Sequence, residues 1–271
     1  GWMFVEQEKP LIDTQAKRLG KNFLRALIKT ITAIEHIDHA EFREQNPALL
    51  VEKVLVILGA NRANAFNWSG SSAGAFGLAQ FMRYTYAIVR NKYPEAQLVA
   101  DFIHGMRNHV NAIKAMACLI DLELAALQEN PQVHAYLAKA ALSGERQTAA
   151  DYGFADVYAL RLWLLANAAY NAGRGRIPTV LTYHGWQWYK ADARPPQSLL
   201  ASLRTQESFL RSKLQRKKLR LKERQRATAA LARVQNTLRE LQRTTLPTET
   251  RVYLEKALAA PSSRSAAAAG L

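Results

Sequence analysis

The chain has 271 residues and a formal net charge of +15. Hydrophobic residues make up 49% of it, which excludes a wholly disordered chain and allows one large domain with an appendage. So basic a protein is drawn to polyanions, whether nucleic acid, anionic lipid or acidic wall polymer, and charge alone does not choose among them.

Taken in chain order, most of the sequence reads as helix. Phe23, Leu24, Leu27, Ile28, Ile31 and Ile34 recur at helical steps, and Leu49, Leu50, Val54, Leu55, Ile57 and Leu58 form a second such face. Asn61 to Ala73 is polar and loop-like, and Gly74 opens a predicted helix through about Val89. Helices are predicted at roughly 107–128, 131–142, 146–151 and 154–172. Period-two alternation is scarce, so an all-α fold is expected. Cys118, the single cysteine, excludes an intrachain disulfide and reads as a core residue among Ile113, Met116, Leu119 and Ile120. No apolar run is long enough to span a bilayer. Gly1-Trp2-Met3 carries no cleavable export signal and reads as a trimmed beginning.

Tandem prolines within Ala191–Gln197 mark a break. Beyond it, thirteen Lys or Arg and three Glu fall between Arg204 and Arg243, with Leu210, Leu214, Leu231, Val234 and Leu238 as an apolar stripe. That pattern predicts a long helix or a helical hairpin with a solvated basic face. No nucleic-acid module is recognisable in it, so nucleic acid is not the expected partner.

Two stretches carry the chemistry. One is Ser71-Ser72-Ala73-Gly74-Ala75-Phe76-Gly77-Leu78-Ala79-Gln80-Phe81; the other is Ala169-Tyr170-Asn171-Ala172-Gly173. Small residues in the first allow close approach of backbone and ligand, and Gln80 offers both a donor and an acceptor. Ser71 or Ser72 can cap the following element. Gly173 suits a helix C-cap. A third stretch, Thr248-Glu249-Thr250-Arg251-Val252-Tyr253-Leu254, opens a further helix after Pro247.

Together these stretches resemble the lytic transglycosylase branch of the lysozyme-like superfamily. The resemblance implies cleavage of peptidoglycan glycan strands between N-acetylmuramic acid and N-acetylglucosamine, with closure of a 1,6-anhydro ring and no cofactor or metal. It also implies a periplasmic or envelope location. A single glutamate acts there as acid and then as base. Asn64, Ser71, Ser72, Gln80, Phe81, Tyr170, Asn171 and Glu249 are then the expected substrate-binding or supporting residues, with Tyr253 read as packing. Matching Phe66-Asn67 to the family's aromatic-Asn pair puts Ala63 at the glutamate position, and counting back from Gly74 puts Arg62 there. Glu52, eleven residues before Ala63, would lie roughly 16 Å away along a helix and is out of reach. Spacing does not place Glu35, Asp38, Glu41 or Glu44. An alanine at the acid position leaves two readings open: a deliberate Glu-to-Ala replacement, or a naturally inactive glycan-binding or scaffolding member. A goose-type lysozyme, which uses water instead, shares the architecture.

The expected organisation is an N-terminal helical extension at 1–45, a lysozyme-like domain at 46–190, a basic helical insertion at 200–245, a closing helix at 246–260 and a disordered tail at 261–271. The insertion, over residues 204–243, is expected to meet an anionic envelope polymer, a lipid or a protein partner. Trp186, Trp188 and Tyr183 are candidates for stacking on sugar faces, while Trp163 reads as core. His36 and His39, on one helical face with Glu35, read as solvent or core residues, not metal ligands.

Overall fold

A computed structural model describes residues 21–189, 197–215, 221–243 and 246–260. The first apolar stripe forms α1 (Lys21–Ile34), with Phe23, Leu24, Leu27, Ile28, Ile31 and Ile34 all buried. The chain turns at Glu35–Ile37. Asp38 then opens α2 (His39–Glu44) by accepting from the amides of Ala40 at 2.7 Å and Glu41 at 3.1 Å. Asn46 caps α3 (Pro47–Asn61), whose first residue is a proline that needs no amide partner. After α4 (Arg83–Lys92), Asp101 caps α5 (Phe102–Arg107) and Asn108 caps α6 (His109–Gln128). Asn130 caps α7 (Pro131–Ala138); α8 (Ser143–Asp151) follows, and Asp156 caps α9 (Val157–Ala172). The chain continues with α10 (Ile177–His184), α11 (Gln197–Gln215), α12 (Leu221–Arg243) and α13 (Thr248–Ala259).

The architecture is all-α. Among the described residues there is no strand, only isolated antiparallel bridges pairing Phe76 with Gly70 and with Phe81. α9 is buried from Ala159 to Ala169 on every side, as expected of a helix apolar all round. Helices α1, α6, α7, α8, α10 and α13 pack around it. α13 returns from the far end of the chain to lie on α1, α2, α3 and α9, and Trp163 at its core donates to the Ala257 carbonyl at 3.3 Å.

Among the described residues, one ion pair is fully inside. Arg161 on α9 is 3% exposed and Glu145 on α8 is 1% exposed. Their groups meet in a two-pronged bond, Nε to Oε1 at 2.8 Å and Nη2 to Oε2 at 2.7 Å. Arg161 Nη1 also donates to the carbonyls of Tyr136, Leu137 and Lys139, which end α7 without intrahelical partners.

Two expectations need correction. Residues 21–45 are not an extension: α1 packs on α3, α6, α9 and α13. Burying each of its Leu or Ile side chains contributes about 1.5–3 kcal/mol. Gly74 does not open a helix either. Gly74, Gly77 and Gln80 all have positive φ, which a right-handed helix does not accept, so the segment is a folded loop and α4 begins at Arg83. The basic segment takes the second of its two expected forms, a hairpin of two helices, α11 and α12, packed on each other, with Gln235 donating to Glu207 across them at 3.1 Å. The residues between them, the first twenty of the chain, and the tail expected at 261–271 lie outside the described residues.

Candidate active site

The glycine-rich loop is folded by its own backbone. Phe76 and Phe81 exchange amide–carbonyl bonds at 3.0 and 3.2 Å, and Gly77 donates to the Ser69 carbonyl at 2.8 Å. A Cβ on Gly77 would lie 2.5 Å from the Met106 carbonyl oxygen, so this position needs glycine for space as well as for φ. Gln80 is tied back into the loop, its amide donating to Gly77 at 2.8 Å and to Ser69 at 3.3 Å. Ser71 shapes the turn by accepting from Ala75 at 3.1 Å; it caps no helix.

Two successive carbonyls of this loop anchor the other motifs. Tyr170, near the end of α9, donates its hydroxyl to Ala79 at 2.6 Å. His36, just past α1, lies 2.9 Å from the Leu78 carbonyl through Nε2, which assigns the ring proton to that nitrogen. The His36 ring stacks on Phe66 with centroids 3.7 Å apart, and burial pushes its pKa down to about 4, so it is a neutral strut. The loop, the end of α1 and the end of α9 are thus brought to one place.

The carboxyl at that place belongs to Glu35. The residue as a whole is half-buried, but its carboxyl end is desolvated. Its carboxyl lies among the phenol of Tyr253 and the ammonium of Lys256 from α13, with the phenol of Tyr170 from α9 nearby. The Tyr253 hydroxyl faces it without the geometry of a standard hydrogen bond. Desolvation outweighs both α13 groups and raises the Glu35 pKa to about 7. Burial, reinforced by this carboxylate, holds both phenols well above the usual tyrosine range. Near neutral pH the site therefore holds a carboxyl that is protonated about half the time, between two neutral hydroxyls, which suits proton donation and acceptance.

Ala63 is not at this position. It is exposed in the 3-10 turn Arg62–Asn64 that ends α3, and its carbonyl accepts from Asn67 at 3.0 Å. The carboxyl beside Tyr170 is that of Glu35; α2 and α3 stand between it and the glycine-rich loop in sequence, and the chain returns to the loop after them. Asn64, Ser71, Ser72, Asn171 and Glu249 are exposed, Gln80 and Tyr170 are half-buried, and Phe81 is a core residue packed edge-on against Tyr170. Tyr253, expected only to pack, faces the carboxyl, and Lys256 had no expected role. Their spacing of three on one helix face was the available signal.

The tryptophans separate. Trp163 and Trp188 are fully buried. Trp186 is half-buried and lines a separate cavity of about 330 Å³ between α7, α8 and α10, together with Tyr136, Leu142, Arg161 and Leu181. The side chain of Tyr183 lies outside the described residues. Among the described residues no group of His, Cys, Asp and Glu is arranged to hold a metal ion, and no helix is long and apolar enough to cross a membrane. No protein-family model, curated protein or solved structure matches this chain.

Proposed function

We propose that the chain is a lytic transglycosylase of lysozyme-like architecture that cleaves the β-1,4 bond between N-acetylmuramic acid and N-acetylglucosamine in peptidoglycan. Glu35 donates its proton to the bond oxygen as that bond breaks. The resulting carboxylate then takes the proton of the C6 hydroxyl, whose oxygen bonds to C1 and closes the 1,6-anhydro ring. The observation that carries this reading is the desolvated Glu35 carboxyl, with its pKa raised to about 7, beside Tyr170 and Tyr253 where the glycine-rich loop and the ends of α1 and α9 converge. On this reading Glu35 supplies the acid whose absence at position 63 suggested an inactivated or merely glycan-binding chain. The substrate lies outside the cytoplasmic membrane, so this reading puts the protein in the periplasm or envelope. Incubation with purified sacculi is expected to release 1,6-anhydro-muropeptides, identified by mass spectrometry. Release of reducing-end products instead would mean hydrolysis by water, and no release at all would sink the enzymatic reading.

On the same reading, the α11–α12 hairpin grips anionic wall polymer. Arg204, Arg211, Arg224, Arg226, Arg233 and Arg239 are all exposed on it, and guanidinium groups suit carboxylate and phosphate. Replacing Arg224, Arg226, Arg233 and Arg239 with Glu is expected to weaken sacculus binding and flatten its salt dependence. Unchanged binding at low salt would remove the hairpin from the account.

A further inference from the structure

A lysine is almost never fully buried without a partner. Lys256 on α13 is 2% exposed. Its ammonium donates to the carbonyl of Ile37, two residues beyond Glu35. It lies 5.9 Å from the centre of the Phe42 ring and faces the carboxyls of Glu35 and Asp38. The turn it grips leaves the C-terminus of α1, where helix carbonyls favour a cation.

We propose that Lys256 is a positioning residue: it clamps the Glu35 turn onto the closing helix and supplies the counter-charge that lets Glu35 work as a base after it has worked as an acid. This rests on the reading of Glu35 as the acid–base group. After donating its proton, Glu35 must hold a negative charge until the C6 hydroxyl gives one back, and burial opposes that charge. The groups facing Glu35 are Tyr253 and Lys256 from α13 and Tyr170 from α9, with neutral His36 next to it in the chain. Of these, Lys256 carries the positive charge. Asp38, at the head of α2, shares it. Desolvation, against the pull of these two carboxylates, brings the Lys256 pKa down to about 8. Both partners are therefore mostly charged only between about pH 7 and 8. Below that window Glu35 is neutral; above it Lys256 is.

The experiment titrates Glu35 directly, by carbon NMR of carboxyl-labelled full-length protein, with its signal assigned by its absence in Glu35→Gln. In Lys256→Met the desolvation is less opposed, so the Glu35 midpoint is expected to rise by roughly one pH unit. The alkaline limb of wall cleavage should rise with it. A folded Lys256→Met protein with an unmoved Glu35 midpoint overturns the proposal. Should that variant not fold, the reciprocal measurement decides: in Glu35→Gln the Lys256 ammonium, followed by nitrogen NMR, must titrate lower than in the wild type, because coupling between two sites is mutual. An unmoved Lys256 midpoint overturns the proposal equally. If the midpoints move while the wild type cleaves no wall, the electrostatic pairing stands and the catalytic reading of Glu35 fails.

Discussion

Glu35→Gln is expected to reduce sacculus cleavage by about 10³-fold or more, the loss typical of removing a group that transfers the proton in the transition state. The amide keeps the shape of the side chain and its place between Tyr170 and Tyr253 but has no proton to give at neutral pH. Ala63→Glu is expected to leave turnover unchanged, since residue 63 sits on an exposed turn. The wild-type rate should fall as pH rises above about 7, where Glu35 loses its proton. Stability should move the other way. The Glu35 pKa is raised from 4.5 to about 7, so between these values the native state binds more protons than the unfolded state and stability falls as pH rises. Glu35→Gln avoids that penalty. It should therefore be more stable than the wild type at pH 8, by on the order of 2–3 kcal/mol, and nearly equal to it at pH 4.5. Thermal unfolding at the two pH values measures this, and a variant that loses activity without gaining stability at pH 8 would mean that the carboxyl is not desolvated as described.

Arg161→Leu is expected to destabilise the protein by about 3–5 kcal/mol, the range seen when one partner of a buried ion pair is removed. Glu145 would be left charged and 1% exposed, and the carbonyls of Tyr136, Leu137 and Lys139 would lose their donor together. Glu145→Leu together with Arg161→Leu should cost less than the sum of the single changes, because the stranded charge is then gone. Denaturant unfolding of the three variants checks this. A single-variant loss under 1 kcal/mol would mean that water reaches the pair. Neither residue touches the Glu35 carboxyl, so whatever remains folded should keep the wild-type pH profile for cleavage.

Much of the fold was legible because its signals are local. The stripe from Phe23 to Ile34 repeats at helical steps and is the buried face of α1. In the structure Asn46, Asn108, Asn130 and Asp156 each cap their own helix within its first turn. The glycine-rich loop was misread as a helix because positive φ at Gln80, a residue that usually avoids it, is held by bonds across the loop to Gly77 and Ser69 and not by any local preference.

By itself the sequence determined that this is a basic, largely helical chain and that a charged segment separates Tyr170 from Tyr253. Only the tertiary structure decided which carboxyl stands beside Tyr170. The reason is geometric: helices α2 and α3 lead away from Glu35, and His36, bonded to Leu78 and stacked on Phe66, holds the two ends of that excursion together. Once a chain leaves and returns, the number of residues in between says nothing about the distance in space, and a position counted along the chain falls on Ala63 while the carboxyl beside Tyr170 comes from Glu35.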